Sequence, residues 1–370
     1  MKHSCPARIS LVLAAALRIS AAPAPLPDDV YLQEVGSSIA SPLPLTAVAA
    51  LDGEVVAGTA KGLVRLQGTN LVADPGLTNA ILRLVTTPGA LWAMTPQGLH
   101  RRTGSGWTLI SDRPVTDVHP FRGGIMAAAG HELWQIRGDS LEPVSTNRSR
   151  FPITRIAVHN ETLFVHGPGR LAPFASGVFG GLDAYTWPAD QAWDWGTLPS
   201  TTTRDLLSQG SALYVATDRG LGVLRGMSLM TLGGAEGLPV TDTTCLAAGF
   251  TNDLWIGTSR GAIRRVDGAW DYFAGRRWLP GDSVRAIAVN GRRVFLATDG
   301  GLGIIEYQPY TLARKAAYYE RHLEEWGQKR LGLVHKLEWD ATLKEYVRRS
   351  VTTTAAIPAT IWQPRHTGMP

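Results

Sequence analysis

Cysteine is nearly absent from this chain, which has two in 370 residues. Cys5 lies in the N-terminal segment discussed below, and Cys245 lies in an apolar stretch. With one thiol left, an intrachain disulfide and a paired-cysteine metal site are excluded, and we expect Cys245 to be buried and inert. The chain also lacks a Gly-x-Ser-x-Gly elbow, a P-loop and histidines at metal-ligand spacing. We therefore expect no metal and no cofactor.

Long apolar runs are missing as well. Beyond the N-terminus no run approaches 18 apolar residues, so we expect no membrane span. Residues 1–22 carry Lys2, Arg8 and Arg18 without an acid, around a short apolar run that is followed by small residues. This pattern predicts a signal peptide over 1–22 and hence a secreted or periplasmic protein.

The core of the chain has no excess of basic residues, although the sequence pI is about 9.3. The positive charge is concentrated at the two ends, which leaves 23 basic and 25 acidic residues in 23–310. A nucleic-acid footprint needs a basic face, so we expect no nucleic-acid partner. The sequence leaves the oligomeric state open.

One phrase recurs seven times between residues 45 and 307: an apolar run, a polar turn, an apolar run ending near Gly-Thr, a Gly turn and a further strand. Leu254–Ala262, Leu213–Leu221 and Val294–Leu302 are well-matched copies, whereas the copies at Ile125–Trp134 and Leu163–Leu171 are degenerate. The turn glycines used as markers are Gly62, Gly98, Gly130, Gly169, Gly220, Gly261 and Gly301. Their spacings are 36, 32, 39, 51, 41 and 40 residues.

A period near 40 residues with about four short strands in each unit is typical of β-propeller blades. The fold class predicted is all-β, a seven-bladed β-propeller over 27–310 with blades from about residue 45, followed by a short C-terminal α-helical extension. Blade 7 lacks a fourth strand, so we expect residues 30–35 to pair there and close the ring, since an open edge invites aggregation. The aromatic position that recurs in the blades is expected to pack between neighbours: Trp92, Tyr214, Trp255 and Phe295.

Two phrases carry a family resemblance. Glu236-Gly237-Leu238-Pro239, followed by Asn252 to Gly261, resembles the two-component regulator propeller repeat, with an aromatic strand that ends in Ile-Gly-Thr. In that family the repeats build periplasmic sensor regions of hybrid histidine kinases, and similar rings occur in secreted proteins without a kinase. No kinase or response-regulator segment is present in this sequence. The resemblance therefore implies a ligand-binding module.

The interval between Gly169 and Gly220 is about ten residues longer than a normal repeat. Its excess is rich in aromatic and acidic side chains: Asp183, Tyr185, Trp187, Asp190, Trp193, Asp194 and Trp195. Aromatic faces stack on sugar C–H groups while carboxylates accept hydroxyl hydrogen bonds, so these residues are candidates for a saccharide site. A loop whose aromatic residues anchor it to the ring is the other interpretation.

The function predicted is a secreted or periplasmic, sensor-like propeller that binds a ligand, a saccharide, without catalysis of its own. Two alternatives stay open: a propeller-fold polysaccharide lyase or glycoside hydrolase, and a protein-interaction scaffold. The enzyme alternative depends on channel-lining side chains and on the histidines of blades 2 to 4, which are His100, His119, His131, His159 and His166. Scattered structural histidines are the other interpretation of that set.

After Thr311 the apolar period changes to a helical one, which predicts a helical extension over 311–350, with the start of a truncated second domain as an alternative. Residues 351–370 follow neither period. They are interpreted as an irregular tail, and a frameshift product is the alternative because other reading frames of the same codons give a more domain-like sequence. Resequencing across codon 350 distinguishes the two.

Overall fold

A computed structural model describes residues 31–104, 106–179, 198–226, 228–311, 313, 314, 317, 321, 322, 333–340 and 345–352. Residues 33–308 form one compact unit, built of seven four-stranded antiparallel sheets. The prediction of a seven-bladed β-propeller is therefore confirmed. The predicted signal peptide, residues 1–22, lies outside the described residues.

Each blade runs from an innermost strand at the channel to an outer edge strand. Blades 1 to 3 comprise β2 (Leu45–Leu51), β3 (Glu54–Thr59), β4 (Gly62–Gln67) and β5 (Asn70–Asp74), then β6 (Arg83–Thr87), β7 (Ala90–Thr95), β8 (Gly98–Thr103) and β9 (Gly106–Ser111), then β10 (Val115–Phe121), β11 (Gly124–Ala129), β12 (Glu132–Arg137) and β13 (Ser140–Pro143). Blades 4 to 6 comprise β14 (Arg155–His159), β15 (Thr162–Gly167), β16 (Arg170–Ala175) and β17 (Val178–Phe179), then β18 (Thr203–Gln209), β19 (Ala212–Thr217), β20 (Gly220–Arg225) and β21 (Ser228–Leu232), then β22 (Thr243–Ala248), β23 (Leu254–Thr258), β24 (Gly261–Val266) and β25 (Ala269–Phe273).

Blade 7 takes its strands from both ends of the propeller sequence. Its inner strands are β26 (Val284–Asn290), β27 (Arg293–Thr298) and β28 (Gly301–Tyr310), and its outer strand is β1 (Tyr31–Ala40), from before blade 1. The Ser41 amide donates to the Gly300 carbonyl at 3.0 Å where β1 ends. The edge that the sequence left open in blade 7 is thus covered by the segment predicted to close the ring.

The hydrophobic core consists of seven clusters, one between each pair of neighbouring blades. Trp255 and Phe295, at the recurrent aromatic position, are almost fully buried and belong to the clusters between blades 6 and 7 and between blades 7 and 1. Trp92 and Tyr214 fill the same position between blades 2 and 3 and between blades 5 and 6. The repeated aromatic residue is therefore part of the scaffold.

The repeated Thr and Gly explain why the phrase recurs. The Thr258 hydroxyl donates to the Gly261 carbonyl at 2.7 Å and accepts from the Arg260 amide at 3.1 Å, which closes the turn between β23 and β24. Gly261 has φ +125°, and a Cβ there would lie 2.6 Å from the Phe273 carbonyl oxygen. Glycine is required for both reasons. The same Thr bond closes the turns at Thr59, Thr95, Thr217 and Thr298.

After residue 308 the chain belongs to a second unit. Ala313, Arg314, Ala317, Arg321 and His322 have helical backbone, and Thr311 Oγ1 accepts a hydrogen bond from the Arg314 amide at 3.1 Å. By contrast, β29 (Leu333–Asp340) and β30 (Glu345–Thr352) form an antiparallel pair.

Both strands begin within 311–350, the range of the expected helical extension, and the extension as a whole stays a prediction. The alternate positions of β29 hold Leu333, His335, Leu337 and Trp339, so three of the four are apolar. Residues 353–370, most of the predicted tail, lie outside the described residues. No helix among the residues described is long and apolar enough to cross a membrane.

Candidate functional site at the two ends of the channel

Near its start, each innermost strand has one position that is structurally equivalent in all seven blades. The equivalence is defined by the residue of the second strand with which this position pairs. In blades 1 to 7 this position holds Ala47, Arg83, Asp117, Arg155, Asp205, Cys245 and Ala286. Arginine and aspartate thus alternate through four consecutive blades, and the other three blades have small side chains. We call Arg83, Asp117, Arg155 and Asp205 the ionic ring.

The four side chains of the ionic ring contact one another across the channel. Arg83 Nε lies 2.9 Å from Asp117 Oδ1, and Arg83 Nη1 lies 3.5 Å from Asp205 Oδ1. Arg155 Nε donates to Asp205 Oδ1 at 3.1 Å. Each carboxylate also binds the next blade, because Asp117 Oδ2 accepts from the Ile156 amide at 3.0 Å and Asp205 Oδ2 from the Leu246 amide at 2.9 Å. The ring therefore links blades 2 to 6.

Burial differs between the two kinds of side chain. Asp117 and Asp205 are 3% and 6% exposed, whereas Arg83 and Arg155 are 26% and 25% exposed. Burial alone would raise the pKa of Asp205, but Arg83, Arg155 and the backbone amides that it accepts from hold that pKa below its usual range. The Asp205 carboxylate is therefore ionised, behind guanidinium groups that reach the channel.

A small cavity opens beside the ionic ring at the start of the innermost strands. It has a volume of about 100 Å³, and its lining includes Thr46, Leu82, Thr244, Arg285 and the arginines of the ring. Arg285 is exposed, and no residue of the described chain accepts a hydrogen bond from its guanidinium. Cys245 also lines the cavity, and burial raises the pKa of its thiol to about 12, so the thiol is neutral.

A larger cavity lies where the innermost strands of blades 2 to 4 end. Its volume is about 580 Å³, and it is lined by Pro88, Pro120, Phe121, Arg122, Gly123, Gly124, Ile125, Val158 and Glu161. The Arg122 guanidinium lies 4.9 Å from the centre of the Phe121 ring. Glu161 is exposed, and its carboxylate has no ion-pair partner among the described residues. We call this the turn cavity.

The candidate saccharide residues from the sequence, Asp183, Tyr185, Trp187, Asp190, Trp193, Asp194 and Trp195, all lie outside the described residues. The described residues that flank them are Phe179 at the end of β17 and Leu198, both buried. From Leu198 the chain leads into the start of β18, and Asp205 of the ionic ring lies on that strand.

The histidines of blades 2 to 4 do not form one constellation. His119 and His159 lie on innermost strands, whereas His100 lies on β8, His166 on β15 and His131 in the turn after β11. His159 Nδ1 is 3.0 Å from Ser208 Oγ, and His131 Nδ1 is 2.8 Å from the Ser149 carbonyl oxygen. Within the part of the chain that the structure describes, no group of three His, Cys, Asp or Glu residues is placed to hold a metal.

The ionic ring was not predicted from the sequence. The members of the ring that bond to each other are 34, 122 and 50 residues apart in the chain, so no local motif contains two of them. Superposing the seven repeats strand by strand reveals the alternation, because each charged residue stands where blade 1 has Ala47 and blade 7 has Ala286. The turn cavity is built from turn residues, and its one aromatic residue, Phe121, lies outside the repeated phrase.

Comparison with known proteins identifies the fold. No family model matches the chain, and no curated protein matches it in sequence. The extracellular domain of a putative hybrid two component system from B. thetaiotaomicron superposes with a TM-score of 0.59 at 14% identity, over 75% of this chain and 42% of that one. A second such domain from that organism gives 0.59 at 15% identity, over 74% and 40%. The chain thus spans about two fifths of these relatives.

A third solved structure of the same fold is an enzyme. Virginiamycin B lyase from Staphylococcus aureus, in a catalytically inactive form with quinupristin, superposes with a TM-score of 0.56 at 12% identity. The alignment covers 75% of this chain and 99% of the lyase. At such identities the likeness establishes the propeller fold and leaves function to the residues of the sites.

Proposed function

We propose that this propeller is a secreted or periplasmic, sensor-like module that binds a saccharide in the turn cavity. The observation that carries the proposal is the combination of Phe121, Arg122 and Glu161 around a cavity of about 580 Å³. That volume lies in the range of small-molecule sites, which are mostly apolar with a few polar groups that fix orientation. The extracellular origin of the two-component domains with this fold supports the location.

The lining has the chemistry that a sugar ring needs. Phe121, Pro120 and Ile125 provide apolar surface for the C–H face of a pyranose. The Glu161 carboxylate accepts hydrogen bonds from sugar hydroxyls, and the Arg122 guanidinium donates to ring or hydroxyl oxygens. Because both charged groups are at exposed turn positions and the apolar groups are partly buried, the polar contacts lie at the rim.

The test is a screen of neutral and acidic oligosaccharides by thermal shift, followed by calorimetry on the best ligand. Glu161→Gln should weaken binding by about tenfold or more, because it replaces a hydrogen bond to a charged acceptor. Asp52→Asn is the matched control: Asp52 is an exposed acid in the corresponding turn of blade 1, and both residues have positive φ. The control variant should bind like wild type.

The saccharide residues predicted from the sequence remain a second proposed location. The double variant Trp193→Ala, Trp195→Ala goes through the same calorimetry. Loss of binding in this variant with unchanged binding in Glu161→Gln would move the site from the turn cavity to the insertion. Affinity unchanged in all variants, or no saccharide bound, would contradict saccharide recognition at both places and favour a protein-interaction scaffold.

A specific observation keeps the lyase alternative open. Asp117 and His119 lie two residues apart on β10 and therefore on one face of that strand. Burial lowers the pKa of His119, with Asp117 acting in the opposite direction, so the imidazole is in its neutral, proton-accepting form at pH 7. The test is incubation with a uronic-acid polysaccharide. If the wild-type protein releases unsaturated products and His119→Ala does not, the function is catalysis rather than binding.

A further inference from the structure

We propose that the small cavity beside the ionic ring is a binding site for a small oxyanion: a carboxylate, sulfate or phosphate group. This site is at the start of the innermost strands, and the turn cavity is at their ends, so the proposal does not depend on saccharide binding. The elements that line the site are β2, β6, β14, β18, β22 and β26.

The charge around the cavity is unbalanced. Within the ionic ring, Arg83 and Arg155 are matched by Asp117 and Asp205, so the ring contributes no net charge. Arg285 adds one positive charge that no described carboxylate compensates. The neutral thiol of Cys245 adds none. A single anion therefore restores neutrality at this end of the channel.

All three arginines keep nitrogen donors that have no acceptor among the described residues. Arg83 uses Nε and Nη1 for Asp117 and Asp205, and Arg155 uses Nε and Nη1 for Asp205 and the Thr154 carbonyl. The Nη2 group of each has no acceptor among the described residues, and neither has any nitrogen of Arg285. The Thr46 hydroxyl already donates to the Ile81 carbonyl at 2.6 Å. Guanidinium groups are thus the donors available here, and they match planar or tetrahedral oxyanions.

The available space also fits a small anion. Ala47, Cys245 and Ala286 complete the ring position in blades 1, 6 and 7, and their small side chains leave the cavity of about 100 Å³. This corresponds to roughly three water molecules, since each takes up about 30 Å³ in the liquid. A carboxylate, sulfate or phosphate group fits, whereas a whole sugar ring with its hydration does not.

The test uses the full chain and calorimetric titration with sodium sulfate, phosphate or acetate, against sodium chloride at equal ionic strength. We expect saturable binding of the oxyanions and a response to chloride explained by screening alone. Arg285→Gln should weaken oxyanion binding about tenfold, because it removes a charge-assisted donor pair. Arg285→Lys should recover part of the affinity, since it keeps the charge without the planar fork.

Arg292→Gln is the matched control, because Arg292 is an exposed arginine in the turn at the other end of the same strand, β26. It should bind oxyanions like wild type. Equal affinity of Arg285→Gln and wild type, or equal responses to sulfate and chloride, would overturn the proposal.

Glucuronate distinguishes a free anion from the acid group of a larger ligand. If glucuronate binds more tightly than acetate and Arg285→Gln weakens both, the site reads the acid group of a larger molecule. If Glu161→Gln weakens glucuronate and Arg285→Gln weakens neither, acid recognition belongs to the turn cavity and the oxyanion site is refuted. If Arg285→Gln weakens oxyanion binding and Glu161→Gln does not, the oxyanion site is supported, even if no saccharide binds in the turn cavity.

Discussion

His166 occupies a position that is Gly, Ala or Met in the other six blades. It pairs across the strands with Arg155 of the ionic ring and is fully buried. Its Nδ1 lies 3.0 Å from Thr154 Oγ1, whereas its Nε2 has no partner in the described structure. Burial, reinforced by the Arg155 charge, lowers the pKa of His166 to about 3. The imidazole is therefore neutral at any pH at which the ligand sites would operate.

The depressed pKa predicts an acid sensitivity that one substitution should remove. The pKa of His166 is near 6.5 in the unfolded chain and about 3 in the folded protein. Between these pH values the unfolded chain binds a proton that the folded protein does not bind. Folding stability therefore falls as pH drops from about 6.5 towards 3, by roughly 2 to 3 kcal/mol at pH 4.5. Blades 3, 5 and 7 have alanine at this position. The variant His166→Ala should therefore lose less stability between pH 7.5 and 4.5 than wild type does. Urea denaturation at both pH values measures this, and parallel losses would contradict it.

At the scale of the element, β1 shows what closing the ring demands of a strand. Gly36 lies in its middle, and a Cβ there would lie 2.5 Å from the Trp278 ring and 2.6 Å from the Arg277 carbonyl oxygen. Gly36 has no positive φ, so the requirement for glycine is close packing rather than backbone geometry. β1 therefore lies tightly against the loop that leads into blade 7.

A matched pair of glycine substitutions tests this packing. Gly36→Ala should destabilise the protein by about 1 to 3 kcal/mol, because the clash involves a carbonyl oxygen and a rigid ring. Gly106, in the outer strand β9 of blade 2, has open space around its would-be Cβ. Gly106→Ala should be neutral or slightly stabilising, since alanine loses less backbone freedom on folding. Thermal unfolding of both variants gives the comparison, and equal effects would show that β1 is loosely held.

At the scale of the whole molecule, the ionic ring joins blades that are distant in sequence. The contact of Arg83 with Asp205 connects blades 2 and 5, and the backbone bond from Leu246 extends the connection to blade 6. The hydrophobic clusters, by contrast, each join two neighbouring blades. The ring is therefore a source of cooperativity between parts of the propeller that share no hydrophobic cluster.

A double-mutant cycle measures that cooperativity. Arg83→Gln and Asp205→Asn, singly and combined, should give a coupling free energy of about 1 to 3 kcal/mol, as expected for members of one buried network. The control cycle uses Arg101 and Asp139, an ion pair whose carboxylate is 64% exposed. Exposed pairs contribute below about 1 kcal/mol, so its coupling should be smaller. Equal coupling in the two cycles would mean that the channel pair does not join the blades.

The sequence by itself determined the number of blades, the position of the closing segment and the structural role of the repeated aromatic residue. These features follow from local rules, since turn chemistry and strand alternation act over a few residues and recur with the period. The degenerate blades show the limit of such rules: Glu132 and Arg170 begin β12 and β16 where five blades have glycine. The markers Gly130 and Gly169 consequently fall earlier in their turns.

Only the tertiary structure decided which side chains meet at the channel. Arg83, Asp117, Arg155 and Asp205 are ordinary residues on four separate strands, and they become neighbours because the closed ring brings one position of every blade to the same axis. The turn cavity arises in the same way from the turns of three blades. Aligning the repeats marks the position that these residues share. Charge balance, burial and cavity volume depend on the convergence itself, so they follow only from the tertiary structure.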